Sequence, residues 1–279
     1  MVTTGYWQVV TLTESGDLAG IERAVGELAL AHSVFRHEDG KRWRVEAICD
    51  HAPEEWPLSG ETTVQPLEMR DWVAESQAAL PALDIGRFHV RGGWDRRGHA
   101  GQIDLVIEAG QAFGTGRHES TEGCLVVLQQ VARQRRVFSV LDVGTGAGIL
   151  AIAAARLTGA RAVGTDIDPV SIDVAIENAD LNRAGTRCRF TTADGTRHGL
   201  IASGRPYDLV FANILARPLA SMSGMIAREV APGGDLILAG ILNHQVPLVL
   251  SRYRPLGLRL VHHRRRNGWS ILRLSRPGV

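Results

Sequence analysis

The chain has 279 residues, 44% of them hydrophobic and 22% charged, which suits one or two globular domains and rules out a disordered or fibrous chain. Against 31 basic residues stand 30 acidic ones, and a net charge of +1 gives no sign of a strongly basic nucleic-acid binder. Cys49, Cys124 and Cys188 lie far apart without a CxxC pair, so neither a metal site nor a disulfide framework is expected, and a reducing cytoplasm fits best. The longest apolar run, Gly148 to Ala155, is far shorter than the roughly 20 residues that span a bilayer. Met1 to Val10 carries no basic-then-apolar secretion signal.

Tyr6 to Leu12 is rich in strand formers. Leu18, Ile21, Val25, Leu28 and Ala29 recur at helical spacing and predict a helix from Asp17 to Ala31. Val34-Phe35 and Trp43 to Ile48 flank the turn signal Glu38-Asp39-Gly40 and predict a pair of strands. Pro53, Pro57, Ser59 and Gly60 then break the pattern. These elements define a small α+β domain over residues 1–63, distinguished by Trp7, Trp43 and Trp56. Residues 64–80 read as a linker helix, with its helical pattern over Glu68 to Leu80.

Residues 81–279 form the larger domain. A glycine-hinged loop, Gly110 to Glu119, leads into a helix from Ser120 to Val131. Strands and helices then alternate. Strands are predicted at Val137–Val143, Arg161–Ile167, Cys188–Thr192, Tyr207–Ile214 and Leu236–Ile241. Helices are predicted at Gly148–Leu157, Val170–Ala184, Pro218–Val230 and Asn243–Tyr253, the last broken by Pro247. This alternation implies a doubly wound, mostly parallel sheet. Leu258–His263 and Trp269–Leu274 have no helix between them and should close one edge as an antiparallel hairpin. Arg264-Arg265-Arg266, the one tight basic run, reads as its solvated turn. Ligands of such sheets bind beyond the C-terminal strand ends.

The chemistry gathers at those ends. The first strand runs into Asp142-Val143-Gly144-Thr145-Gly146-Ala147-Gly148, where glycines let the backbone turn and approach a ligand, and the next helix aims its N-terminal amides there. A dinucleotide fingerprint needs glycine or alanine at the sixth position, which here is Ile149. The second strand ends in Asp166, placed to accept from a ribose diol, while Asp168 before Pro169 reads as a helix cap. Asp194, before Gly195, either accepts from an adenine amino group or belongs to a plain turn. Asn213 ends the fourth strand and either accepts from a substrate amine or caps the following helix. Upstream, Phe113 is suited to cover an adenine or sulfonium face, and Thr121 to offer its hydroxyl to a ligand carboxylate. His118 is a base or a structural hydrogen-bonding group.

The DxGxGxG pattern resembles the loop of class I methyltransferases that use S-adenosylmethionine, and Asp142 suits it by ordering the loop and meeting the methionine ammonium. More specifically, Gly110 to Thr121, Ala212 to Leu219, and Pro232-Gly233-Gly234 through Leu242 resemble the PrmA family of ribosomal protein L11 methyltransferases. The resemblance covers residues 105 to 279, about 60% of the chain. It implies a Rossmann-like class I methyltransferase domain with S-adenosylmethionine contacts at Thr121, Gly144, Asp166 and Asn213, with Gly146 in the same loop. It also implies that the N-terminal domain grips the substrate, large-subunit ribosomal protein L11, which is expected to be taken as free protein and methylated on lysine side chains and the α-amine. Arg117 departs from many relatives and adds charge at the site mouth. The competing readings are a methyltransferase of the same fold acting on another protein, RNA or a small molecule, and a non-catalytic ribosome-associated module. No direct nucleic-acid or membrane binding is expected.

Overall fold

In the computed structural model, residues 6–14, 18–26, 28–37, 41–53, 55–66, 82–93, 95, 101–108 and 119–278 are described. They fall into two units, Met1–Glu75 and Ser76–Val279.

In the first unit, β1 (Trp7–Thr13), α1 (Leu18–Gly26), β2 (Ala31–Arg36), β3 (Trp43–Cys49) and β4 (Glu61–Pro66) follow one another. The antiparallel sheet is ordered β2-β3-β1-β4, so β3 lies between β1 and β2, a split βαβ unit. Alternation along β1 and β3 sends Val9, Val45, Ala47 and Cys49 inward, where they pack with Ile21 and Val25 of α1. Trp56 and Leu58 from the β3–β4 connection close this core, and Trp56 Nε1 donates to Thr11 Oγ1 at 2.8 Å. The helix expected to reach Ala31 ends at Gly26, because Ala31 already pairs with Ile48 in the sheet. β4 was not foreseen, and its last three residues occupy the start of the expected linker helix. The remainder of that linker lies outside the described residues.

In the second unit, β5 (Leu83–Ile85), β6 (Phe88–Arg91) and β7 (Ile103–Val106) form a three-stranded sheet, which the sequence reading missed. After α2 (Glu119–Gln134) comes the alternating region: β8 (Ser139–Val143), α3 (Ile149–Thr158), β9 (Arg161–Asp166), α4 (Pro169–Leu181) and β10 (Cys188–Thr192). It continues through α5 (Gly199–Gly204), β11 (Tyr207–Asn213), α6 (Ala216–Ser221), α7 (Ser223–Glu229), β12 (Val230–Leu242), α8 (Val246–Tyr253), β13 (Arg259–Arg266) and β14 (Trp269–Ser275). The seven-stranded sheet is ordered β10-β9-β8-β11-β12-β14-β13, parallel from β10 to β12 and antiparallel beyond.

Both faces of this sheet are covered, which is why its inner strands read as apolar runs. Val140, Leu209, Phe211 and Ile237 face one cluster with α2 and α3, and their neighbours Leu141, Val210, Ala212 and Leu238 face another with α6, α7 and α8. Helix α3 is buried along Ile149–Ala155, where alanines combine helix propensity with a thin face against the sheet.

Several boundaries differ from the sequence reading. The expected helix Pro218–Val230 is two short helices joined at Met222, and Val230 opens β12, which is far longer than its apolar heart. Pro247 lies in the first turn of α8, where a missing N–H costs nothing, so it does not break that helix. The hairpin turn is only Asn267-Gly268, both at positive φ, the conformation a tight two-residue turn requires. The three arginines therefore lie on β13, with Arg266 paired to Glu122.

Candidate functional site

The C-terminal ends of β8, β9 and β11 converge on the glycine-rich loop. Asp142, 1% exposed, lies beneath that loop. Its Oδ2 accepts from Thr145 Oγ1 at 2.7 Å and from the Ala151 backbone N–H at 3.2 Å, so one oxygen holds both the loop and the first turn of α3. The other oxygen is buried without a hydrogen-bond partner. Burial pushes the Asp142 carboxyl up to about 7, against the opposing pull of the Thr145 and Ala151 hydrogen bonds.

Gly144 and Gly146 adopt φ of +71° and +51°. A Cβ on Gly144 would also come within 2.3 Å of Ile214 Cγ2, so glycine is required there by both conformation and space. The Gly144 and Thr145 N–H groups bond to the Thr165 carbonyl, anchoring the loop to β9.

Asp166 ends β9 half-buried. Its Oδ2 accepts from Gly146 N–H at 2.9 Å and its Oδ1 from Asp168 N–H at 3.1 Å. Each oxygen is thus fixed by one donor and keeps lone-pair capacity for another, which fits a vicinal diol. Asp168 accepts from Val170 N–H and Ser171 Oγ and is the N-cap of α4, with Pro169 behind it. Asp194 is exposed and forms an ion pair with Arg197 at 3.1 Å.

Asn213 and Thr121 are brought together although 92 residues separate them: Asn213 Nδ2 donates to Thr121 Oγ1 at 3.1 Å. The cap of α6 is Leu215, not Asn213, so the helix-capping alternative falls away. The bond consumes one amide N–H and leaves the Asn213 carbonyl and the Thr121 hydroxyl proton for other partners. Thr121 is 3% exposed in the first turn of α2. That turn is tied to the β13–β14 hairpin by the Glu122–Arg266 pair and by Asn267 Nδ2 donating to Glu119 Oε1 at 3.3 Å.

Beside Asn213, Ile214 is confined from two sides. Gly144 borders its side chain, and Gly240, at φ +76°, borders its backbone: a Cβ there would lie 2.4 Å from the Ile214 carbonyl oxygen. Gly240 sits where β12 shifts register against β14. Its role was hidden in the sequence, where it reads as one more glycine after an apolar strand. Phe113, Arg117 and His118 lie outside the described residues. Among the described residues no group of three or more His, Cys, Asp or Glu is placed to hold a metal ion, and no helix is long and apolar enough to cross a membrane.

A seven-stranded sheet in this order, with a glycine-rich turn after its first strand and an acidic residue ending the second, defines a class I S-adenosylmethionine-dependent methyltransferase. The pattern of one family, described as ribosomal protein L11 methyltransferase (PrmA), matches residues 26–277. A relative named ribosomal protein L11 methyltransferase from Caulobacter sp. (strain K31) is 44% identical over 267 residues, covering 92% of each chain. Another of that name from Bradyrhizobium diazoefficiens is 41% identical over 245 residues, covering 88% of this chain and 82% of the other. The crystal structure of a ribosomal protein L11 methylase from Lactobacillus delbrueckii subsp. bulgaricus, 27% identical, aligns with TM-score 0.61 over 70% of this chain and 98% of that one. The chain belongs to the PrmA family of ribosomal protein L11 methyltransferases.

Proposed function

We propose that the chain methylates lysine side chains and the α-amine of ribosomal protein L11, taken as free protein, and that its residues divide the work between holding S-adenosylmethionine and holding the amine. The observation that carries this reading is the Asn213–Thr121 hydrogen bond at the mouth of the sheet. S-adenosylmethionine supplies a methyl group on a sulfonium, open to in-line attack by an amine. Thr121 offers its hydroxyl proton to the ligand carboxylate. Asp142 orders the loop through Thr145, and an ammonium brought beside it would favour its ionised form. Gly144 and Gly146 let the backbone approach, and Asp166 accepts from the ribose hydroxyls. Asp194 accepts from the adenine amino group once it exchanges Arg197 for that partner, and Phe113 covers the adenine or sulfonium face.

Asn213 is the residue assigned to the amine. Its amide is oriented by Thr121, so its carbonyl is held ready to accept an N–H and to point the nitrogen lone pair at the methyl. A lysine ammonium, with a pKa of about 10.4 in water, must lose its proton first. A neighbouring sulfonium and partial drying both favour that loss. The small N-terminal domain, whose sheet runs through β4 to Pro66, is assigned to recognition of the ribosomal protein, with the stretch from there to residue 80 as the linker. A cytoplasmic location accords with three free, buried cysteines and with such a substrate.

The test uses the purified chain, S-adenosylmethionine and recombinant ribosomal protein L11, read by intact-protein mass. The expected result is a ladder of methyl additions that disappears in Asp166→Ala. A wild-type enzyme that binds S-adenosylmethionine yet adds no methyl would overturn the substrate assignment, and turn the search to other proteins, RNA or small molecules.

A further inference from the structure

We propose that Asn178 is a positioning residue that ties the glycine-rich loop to the chain segment leaving β7, and so sets the loop for its ligand; this rests on the reading of that loop as the seat of S-adenosylmethionine. Asn178 is 0% exposed and Asn182 3% exposed, and they stand one helical turn apart at the end of α4. Buried amides this close together need partners, and the partners are all backbone.

Asn182 Oδ1 accepts from Val106 N–H at 2.9 Å and its Nδ2 donates to the Val106 carbonyl at 2.6 Å. Asn178 repeats this one step along: Oδ1 accepts from Glu108 N–H at 2.9 Å and Nδ2 donates to the Glu108 carbonyl at 2.8 Å. The geometry matches because four helical residues rise about 6 Å and two strand residues about 6.6 Å. A carboxamide is also the chemical copy of a peptide group. The two side chains therefore act as a substitute strand along one edge of residues 106–108, while Ile107 N–H bonds to the Arg91 carbonyl on the other.

Covering a sheet edge would by itself be a structural role. Asn178 does more. Its second amide hydrogen goes to the carbonyl of Ala147 at 2.9 Å. Ala147 lies between Gly146, whose N–H holds Asp166, and Gly148, which opens α3. Asn182 spends its second hydrogen on the Asn178 backbone carbonyl and does not reach the loop. One NH₂ group thus joins two segments that the sequence separates by 39 residues, and no other neutral or charged side chain of that length supplies one acceptor and two donors.

The experiment measures S-adenosylmethionine affinity by calorimetry and thermal stability for the full chain, for Asn178→Asp and for Asn182→Asp. Each variant turns two donated bonds into oxygen–oxygen contacts on the same ladder, so comparable losses of Tm are expected. Only Asn178→Asp is expected to weaken S-adenosylmethionine binding, by about tenfold or more, against under about twofold for Asn182→Asp. Equal affinity in both variants, or losses that track Tm alone, would overturn the tie. If Asn178→Asp does not fold, hydrogen exchange of the wild-type chain decides: saturating S-adenosylmethionine should slow exchange at the Glu108 amide by about tenfold and more than at Val106, and an unchanged Glu108 rate would overturn the proposal. Failure of the wild-type chain to bind S-adenosylmethionine at all is a separate result, which removes the reading of the loop and the tie with it.

Discussion

The seven-stranded and the four-stranded sheets bury their strands in different ways, and the difference locates the chemistry. In the large sheet, alternate residues face two apolar clusters, and the polar groups collect where the strands end. Asp142, Asp166 and Asn213 each stand at or next to such an end, beside a backbone that has just left its ladder. In the four-stranded sheet, one face packs with α1 into a buried cluster of six described residues. The other face of β1 and β3 leaves Gln8, Val10, Leu12, Glu46 and Ile48 partly exposed and Arg44 exposed. The four-stranded sheet thus leaves one face of β1 and β3 partly open, while the polar groups at the strand ends of the large sheet stand on buried scaffolding.

The comparison breaks most sharply at Gly240. Gly240→Ala places a Cβ against the Ile214 backbone at an unfavourable φ, and is expected to cost about 3 kcal/mol of stability and to depress methyl transfer through the adjacent Asn213. Denaturant unfolding and a turnover assay check this. Next comes Asp142. Its folded-state pKa is raised to about 7 from an ordinary 3.8, so the protonated carboxyl favours the fold: its contribution is full below about pH 4 and is lost as pH rises through about 7. The Tm of the ligand-free chain should fall over that window, and Asp142→Asn should flatten the fall while weakening S-adenosylmethionine binding. The smallest effect belongs to the small sheet. Trp56→Phe removes the bond to Thr11 and is expected to cost about 1 kcal/mol in local stability, with S-adenosylmethionine affinity unchanged by calorimetry. A change in that affinity would erase the division of labour between the two units.

The parts of the molecule readable in the sequence are those with a local cause. The β8 run is apolar because both faces are covered, the turn after it needs glycine, and Asp168-Pro169 spells a cap. Asp166 and Asn213 were legible as strand-end residues, and the strand ends of a doubly wound sheet are where ligands bind, which makes them candidates. What was not readable depends on distant contacts. The short strands β5 to β7 and the all-exposed β4 carry too few alternating residues to signal themselves. Gly240 matters because of Ile214, and Asn178 because of Glu108 and Ala147, and none of these pairings leaves a periodic trace. The three arginines of β13 were mistaken for a turn because charge on an edge strand looks like a loop.

Under the proposed function, Asn213, oriented by Thr121, holds the amine rather than serving chiefly to hold S-adenosylmethionine. The most direct test of that role is single-turnover methyl transfer to ribosomal protein L11 by Asn213→Ala, alongside the variant's affinity for S-adenosylmethionine. The expected result is a loss of transfer rate of about a hundredfold or more, with affinity changed by no more than a few fold. Equal loss of both would contradict it, and would place Asn213 with the residues that hold S-adenosylmethionine.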